Sequence, residues 1–269
     1  MRGVVLALVV VLASCNKALA WGDEGHQIIC EIAFRLVQPD TRAAVRKLIQ
    51  ADTQFDTFSQ SCVFPDHPRV RAPEHFVNLT RNSTGLASDE CPQAPACVVQ
   101  AILKDSRIVK SRHEKAVDRL IALKSLGHWV GDVHQPLHVS FEDDRGGNNI
   151  RVTGQCSGNL HSAWDSCLVL GAVGPDVSDA ATELIEAMTP EMKTKWSSPD
   201  PREWANESFA ITVSTTTRYC VVQGASCDKP EGSVAVDTDY LAANEPVVRE
   251  QLQKAGFRLA RLLDSIFSD

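Results

Sequence analysis

One segment of the 269-residue chain decides its fold class, and it reads Gly127-His128-Trp129-Val130-Gly131-Asp132-Val133-His134-Gln135-Pro136-Leu137-His138. It closes a stretch that begins near residue 97, in which apolar side chains recur at helical spacing. Pro136 would stop this helix because proline has no N–H to donate. Gly127 and Gly131 cost a helix roughly 1 kcal/mol each, and such glycines are tolerated where a backbone or a ligand approaches closely. The segment therefore predicts a helix beside a crowded site.

Helical spacing continues on both sides of this segment. A first helix would be capped by Asp23 and carry apolar residues as far as Leu36. Further helices are predicted over residues 41–49, 176–188, 201–219 and 246–267. Residues 143–158, which contain Gly146-Gly147-Asn148-Asn149, predict a loop or a small hairpin. Because no internal repeat or low-complexity linker divides the chain, we predict a mainly α fold with a single helical domain over residues 21–269.

The first twenty residues have the pattern of a secretory signal. Arg2 precedes an apolar run over residues 4–13 that is too short to span a membrane, and Ala18-Leu19-Ala20 forms a small-x-small cleavage site. Cleavage there would leave Trp21 at the start of an exported protein, either periplasmic or extracellular. A competing lipoprotein box, Leu12-Ala13-Ser14-Cys15, would instead leave a lipidated Cys15. No other stretch is long and apolar enough to cross a bilayer.

The composition excludes several classes of protein. Hydrophobic residues make up 43% and charged residues 23%, which argues against collagen, coiled coil and extensive disorder. The chain has 27 Lys and Arg against 34 Asp and Glu, a formal net charge of −7. This balance argues against a protein that binds duplex DNA by covering its phosphates with basic side chains.

The cysteines also indicate export. Nine are present, and eight remain once Cys15 leaves with the signal, an even number that suggests disulfides in a secreted chain. Pairing by shortest loops suggests Cys91–Cys97, Cys156–Cys167 and Cys220–Cys227, which leaves Cys30–Cys62. Many other connectivities are open to eight cysteines. The absence of a Cys-x-x-Cys motif disfavours a cysteine metal site. Sequons at Asn78, Asn82 and Asn206 would make a glycoprotein only in a host that glycosylates.

Two histidine–aspartate pairs carry the chemistry. His128 with Asp132, and His161 with Asp165, stand four residues apart, so on a helix each pair shares a face and can bind one metal ion. A solvated histidine beside an unrelated acid is the alternative for either pair alone. His134 and His138 have the spacing of a zinc-protease helix, but a proline lies between them and no glutamate follows His134. We interpret His134 as a supporting or surface residue.

Together these motifs resemble the zinc-dependent, single-strand-specific nucleases of the S1/P1 family. The resemblance covers nearly the whole chain after residue 20 and depends on the order of the motifs. They are Trp21-Gly22 with His26, Phe64-Pro65-Asp66-His67-Pro68-Arg69, His75-Phe76, the block from Gly131 to His138, and Asn159-Leu160-His161-Ser162-Ala163-Trp164-Asp165. It implies a mainly helical fold shared with zinc-dependent phospholipases C and a cleft with three zinc ions.

The resemblance also implies a set of ligands for the three zinc ions. The first ion would be bound by Trp21 and His26. The second would be bound by Asp66, His75 and His128, with Asp132 as a bridge between these two ions. The third would be bound by His138, His161 and Asp165. Trp21 would bind through its α-amino nitrogen and carbonyl oxygen. That nitrogen is free only after cleavage behind Ala20, so the resemblance favours this site over lipidation at Cys15.

The implied reaction is hydrolysis of single-stranded DNA and RNA to 5′-phosphates, and relatives also act on 3′-mononucleotides. Zinc makes hydroxide available near neutral pH. Asp66 would orient the attacking water. Arg69 would stabilise charge on the phosphate, and Arg71 is a competitor for that role. Phe76 would stack on a base. Asn78 stands where fungal and plant members commonly have an acid, which leaves base preference open. His67 and His113 match no ligand.

Two other functions stay open at this point. A zinc-dependent phospholipase C shares the three-metal plan and the N-terminal tryptophan, and it would release phosphocholine instead of nucleotides. A non-catalytic secreted zinc-binding protein would hold saturated ions with no open position. In either case we expect a monomer with no membrane span.

Overall fold

The computed structural model describes residues 21–92, 94–223 and 226–268. The predicted signal, its cleavage site after Ala20 and the competing box at Cys15 lie outside the described residues. Among the helices of the described part, none combines the length and the apolar character that crossing a bilayer requires.

The structure is mainly α, as predicted. The helices are α1 (Asp23–Leu36), α2 (Pro39–Ile49), α3 (Phe58–Ser61), α4 (Val98–Lys110), α5 (Ala116–Val133), α6 (Leu160–Ser162), α7 (Leu168–Val173), α8 (Val177–Glu186), α9 (Pro190–Lys195), α10 (Pro201–Thr212) and α11 (Thr238–Phe267). A π-helical segment, Ala163–Cys167, joins α6 to α7. Short 3₁₀ segments are Phe64–Asp66, Ala72–His75, Pro136–His138 and Thr215–Thr217.

The core lies where α1, α5 and α11 pack together. The inner face of α1 carries Ile28, Ile29 and Ile32, all fully buried, and each such side chain contributes about 1.5–3 kcal/mol relative to exposure. Gly256 of α11 lies against Ile32, and a Cβ there would overlap the isoleucine side chain. This close approach fixes α1 against α11, and α1 also packs on α5, which carries His128 and Asp132.

Three pairs of short strands complete the fold. β1 (Val77–Leu79) and β2 (Val139–Phe141) run parallel with Val77 opposite Val139, so the residues before each strand, His75-Phe76 and His138, are brought together. β3 (Val152–Gly154) pairs in parallel with β6 (Val234–Val236). β4 (Val221–Gln223) and β5 (Ser226–Asp228) form an antiparallel pair.

Several predicted boundaries were wrong. The helix predicted from residue 97 is interrupted at residues 111–115, between α4 and α5. Its predicted end is confirmed: α5 ends at Val133, ahead of Pro136, and Gln135 adopts the extended backbone that the residue before a proline favours. α10 ends at Thr212, and α11 begins at Thr238 and contains Pro246.

One further local prediction is wrong, and for another the structure confirms the loop instead of the hairpin. Asp23 does not cap α1: Gly22 occupies the cap position, and the Asp23 carboxylate accepts a 2.8 Å hydrogen bond from His67 Nε2. Residues 143–158 form turns with one isolated antiparallel bridge between Arg151 and Asn159, while β3 pairs with the distant β6. A strand far along the chain therefore replaces the local partner that a hairpin would need.

The structure has four disulfides, and they follow the pairing suggested by loop length. They join Cys30 to Cys62, Cys91 to Cys97, Cys156 to Cys167 and Cys220 to Cys227. The first connects α1 to the segment that follows α3, and the third closes a loop that ends just after Asp165. Two disulfides therefore brace segments that carry predicted ligands.

Candidate metal centre

The predicted ligands converge in the structure on three adjoining groups that could hold metal ions. Two groups share His128 and are called the paired groups here: His26, His128 and Asp132, and Asp66, His75 and His128. His138, His161 and Asp165 form the third group. Within each group the candidate ligand atoms all lie within 4.8 Å of one another, and every member is buried.

The two glycines of α5 make room for this centre. A Cβ on Gly131 would lie 2.6 Å from His26 Nδ1, so only glycine lets α1 bring His26 beside Asp132. A Cβ on Gly127 would overlap both sulfurs of the Cys30–Cys62 disulfide. The prediction of close approach at these glycines is confirmed, and the helix tolerates their cost because α1 packs directly on this face.

Backbone carbonyls determine which ring nitrogens face the centre. His128 Nδ1 donates to Cys62 O at 2.8 Å, and His75 Nε2 donates to Val70 O at 3.0 Å. A neutral imidazole carries one proton, so His128 Nε2 and His75 Nδ1 are then both lone-pair nitrogens. They face each other at 3.2 Å. Two lone pairs cannot hydrogen-bond to each other, so this arrangement suits a cation bound between them.

The third group repeats this arrangement. His138 Nδ1 donates to His75 O at 2.5 Å, and His161 Nδ1 donates to Gly146 O at 2.7 Å. Their Nε2 atoms, which then carry lone pairs, lie 3.1 Å apart. Metal-binding histidines typically donate their second N–H in this way, because it sets the tautomer and the ring orientation. Both pairs of imidazoles therefore have the form of metal ligands.

Asp132 lies between the imidazoles of the paired groups. Its Oδ2 is 3.2 Å from His75 Nδ1 and 3.4 Å from His128 Nε2, and its Oδ1 is 3.5 Å from His26 Nε2. Among the described residues, neither oxygen has a hydrogen-bond partner, and the same holds for both ring nitrogens of His26. Unpaired buried polar atoms are costly, so their concentration here is further evidence that the residues fit a cation.

Burial sets the charge state of the centre. It lowers the pKa of His26, His128 and His138 well below the ordinary value and that of His75 to about 4. It also raises the pKa of Asp132 well above the ordinary value, with the charge of Asp66 adding to the effect. The imidazoles are therefore neutral, as metal ligands must be, and the charge of Arg69 offsets only part of the cost of burying the carboxylates.

Trp21 lies directly beside the paired groups. Its side chain is fully buried, and its indole Nε1 donates to Gly131 O at 2.9 Å. The next residue, Gly22, donates its N–H to Asp165 O at 2.6 Å. The backbone at Trp21 is thus held between the segments that carry Asp132 and Asp165.

A cavity of about 800 Å³ opens beside the third group, and the predicted catalytic and substrate-binding residues line it with the exception of Asp66. Arg69, the half-buried Phe76 and Asn78 face it together with His138 and His161. The charge of Arg69 acts on the pKa values of residues in all three groups. The competitor Arg71 instead binds Asp105 at 2.6 Å and lies over the Trp129 ring, so its role is structural.

The other singled-out histidines lie outside the groups. His134 is buried, donates through Nδ1 to Val130 O at 2.8 Å, and contacts Arg258 through Nε2 at 3.0 Å. This agrees with a supporting residue and excludes a surface one. His67 pairs with Asp23 at a surface position, and His113 is exposed.

Sequence reasoning missed two contributions to the site. Gln135 Nε2 donates to Asp165 Oδ1 at 2.6 Å and so orients a predicted ligand; its place in the block ending at His138 was the available signal. The loop around Gly146 supplies the carbonyl that orients His161 and several side chains that line the cavity. Its run of glycines and asparagines was visible, but only as a turn.

Fold and site together define a mainly helical protein with buried His/Asp groups that could hold metal ions beside an open cavity. The S1/P1 nuclease family model matches residues 21–268, and the chain belongs to that family. Endonuclease 4 of Arabidopsis thaliana is 30% identical, over 94% of this chain and 91% of its own length. Nuclease S1 of Aspergillus oryzae is 26% identical, over 96% and 95%. These relatives indicate a nuclease.

Proposed function

We propose that this protein is a zinc-dependent endonuclease that hydrolyses phosphodiester bonds of single-stranded DNA and RNA and leaves 5′-phosphates. The observation that carries the proposal is the two pairs of facing lone-pair nitrogens, one of which lines a cavity together with Arg69 and Phe76. Imidazole and carboxylate donors suit zinc, and an open cavity leaves room for substrate. A 3′-mononucleotide presents the same phosphate chemistry, so we propose it as a further substrate.

The chain's own residues would have separate roles in metal binding, water orientation and phosphate binding. Zinc would be held by the paired groups, which contain His26, Asp66, His75, His128 and Asp132, and by the third group. Trp21 would be an additional ligand through its terminal nitrogen. Bound zinc supplies Lewis acidity and makes water a nucleophile near neutral pH. Asp66, whose Oδ1 has no hydrogen-bond partner among the described residues, would orient that water. Arg69 would bind the phosphate oxygens and stabilise their charge as the reaction proceeds.

Strand preference would come from the shape of the site. A phosphate that reaches the buried centre must bring its base into the cavity, which a single strand allows without breaking base pairs. Phe76 lies at the cavity wall, half-buried, and offers a ring face to such a base. Asn78 lies two residues further along β1 in the same cavity, where its amide could both donate and accept hydrogen bonds.

Phe76→Ala should raise KM for a single-stranded oligonucleotide by about tenfold while changing kcat less. The expected size follows from base–aromatic stacking, which contributes about 1–3 kcal/mol per base. Steady-state kinetics on oligothymidylate would measure it. Phe257→Ala is the matched control, because Phe257 is another partly buried phenylalanine, on α11, and it packs against Trp196. Equal KM values for the Phe76 variant and the wild type would contradict the stacking role.

Chelation provides the direct test of the proposed function. Removing metal should abolish release of acid-soluble nucleotides from single-stranded DNA and lower the Tm, because ligand binding energy is also folding energy. Zinc should restore both, and magnesium should not, because magnesium prefers oxygen ligands. Full activity after chelation would refute the proposal. Release of phosphocholine would favour a phospholipase C. Zinc that stays bound without any turnover would favour a non-catalytic protein.

The proposal includes export of a monomer made of one domain over residues 21–269. Four disulfides are typical of an oxidising compartment, which supports export. Cleavage between Ala20 and Trp21 would expose the terminal nitrogen that the centre requires. N-terminal sequencing of the mature protein would test this, and a start at Cys15 would support the lipoprotein alternative.

A further inference from the structure

Three arginines adopt a backbone conformation that side chains other than glycine rarely take. Within the described residues, the non-glycine positions with positive φ are Arg71 (53°), Arg145 (56°) and Arg218 (51°). This left-handed region brings Cβ close to the following carbonyl oxygen, so a residue kept there needs a reason. Such outliers concentrate at functional sites.

Two of the three arginines have structural partners. Arg71 binds Asp105 at 2.6 Å beneath the centre. Arg218 donates to Ala235 O at 2.7 Å and to Asp237 Oδ2 at 3.0 Å. In both cases the guanidinium joins distant parts of the chain, which accounts for an arginine at an unfavourable backbone position.

Arg145 has no such partner. Its side chain is exposed and lines the cavity beside the third group, and within the described part of the chain its guanidinium makes no hydrogen bond or ion pair. Only its backbone is engaged: its N–H donates to Glu142 O at 3.0 Å, and its carbonyl accepts from Asn148 Nδ2 at 2.8 Å. The folded protein alone therefore gives no reason for an arginine here.

The loop that carries Arg145 is rigidly attached to the third group. Asp144, fully buried, accepts from Gly147 N at 2.9 Å and from the Tyr219 hydroxyl at 2.6 Å. Gly146 donates to Phe141 O at 3.0 Å, and its own carbonyl orients His161. The residue next to Arg145 thus positions a predicted ligand, which places the arginine at the edge of the third group.

The cavity has two cationic side chains near the centre. Arg69 acts electrostatically on residues of all three groups, and Arg145 acts together with it on His161. The lining also includes Glu142, whose charge disfavours phosphate. A cation on this side of the cavity would offset that repulsion.

We propose that Arg145 binds a second phosphate of the single strand, adjacent to the phosphate that reacts, at the third-group side of the cavity. The inference rests on the proposed nuclease function and adds a substrate subsite to it. A guanidinium pairs with phosphate oxygens through two parallel N–H donors. Successive phosphates of one strand would then contact Arg69 and Arg145, with a base on Phe76, which is the combination of cations and aromatic rings that single-strand binding uses.

Arg145→Gly provides a sharp test because its effects on folding and on substrate binding are opposite. Glycine suits the left-handed backbone, so the Tm should stay the same or rise. KM for a single-stranded oligonucleotide should rise by about tenfold, the usual worth of a charged hydrogen bond, with kcat within about twofold. The slope of log(kcat/KM) against log salt should become shallower by about 0.7, as expected for one lost phosphate contact on a single strand.

Two further variants separate binding from structure. Arg218→Gly makes the same backbone change away from the cavity and should leave KM and the salt slope as in the wild type. Arg145→Lys keeps the charge, so its KM and its salt slope should both return most of the way to the wild-type values. The inference is overturned if Arg145→Gly keeps wild-type KM and salt slope, or if its Tm falls and lysine does no better than glycine. A wild-type protein that cleaves no oligonucleotide would instead overturn the nuclease proposal itself.

Discussion

Asp132→Asn is expected to lower hydrolysis of single-stranded DNA by more than about 100-fold. Loss of a residue that merely supports a metal ligand typically costs about 10–100-fold, and Asp132 lies among the ligands themselves. Its two oxygens lie 3.2–3.5 Å from nitrogens of His75, His128 and His26. An amide has the same shape but no charge, so the paired groups should lose metal while the helix keeps its packing. Activity and metal content per chain would be measured together.

The stability of this variant should depend on metal. Because burial raises the pKa of Asp132, the metal-free protein loses stability as the pH rises above the ordinary pKa of an aspartate, and asparagine, which does not titrate, removes that loss. The metal-free variant should therefore be at least as stable as metal-free wild type, yet gain less Tm on zinc addition. Asp118→Asn is the control, since Asp118 is an exposed aspartate of the same helix. Wild-type metal content and activity in Asp132→Asn would disprove the proposed role.

One extra glycine ahead of Trp21 should lower activity by more than about tenfold and remove about one zinc ion per chain. The α-amino nitrogen has a lone pair that can bind metal, whereas in an extended chain it becomes an amide nitrogen whose lone pair is delocalised. The fixed position of Trp21, through its bonds to Gly131 and from Gly22 to Asp165, leaves little freedom for another residue to take its place.

The matched control for this extension is one glycine added after Asp269, at the other end of the chain. It should leave metal content and activity unchanged, because no described residue of α11 belongs to the groups that could hold metal. Metal content is the decisive measurement, since a general loss of folding would lower it at every group. A fully active, fully loaded enzyme with the extra residue at its start would exclude the terminal nitrogen as a ligand.

The fold class was predictable from apolar spacing, but several element boundaries were not. α1 and α2 follow the predicted pattern because one face of each is buried. The same reasoning merged α4 with α5, since Val117 fits the helical spacing although it is 55% exposed. It began the last helix at Pro246, whereas Asp237 caps α11 well before it and packing against α1 and α7 outweighs the cost of the proline.

The two histidine–aspartate pairs could be chosen from their local spacing, whereas the other predicted site residues followed from the resemblance to the S1/P1 family. The pairs His128–Asp132 and His161–Asp165 keep their i, i+4 relation, and each lies within one of the groups. Gly127 and Gly131 predicted that a backbone or a ligand approaches the helix closely, but they did not predict which atoms do so. Arg145 escaped notice because its signal is a backbone angle and an unpaired guanidinium, neither of which a sequence displays.

The amino-acid sequence alone determined the residue types of this centre and the helical class, and loop length suggested the cysteine pairing that the structure has. Only the tertiary structure decided which nitrogen of each imidazole faces inward. That choice depends on carbonyls from remote segments, Cys62 for His128, His75 for His138 and Gly146 for His161. A hydrogen bond between groups far apart in the chain has no local signature, because it exists only once the core has packed and brought donor and acceptor together.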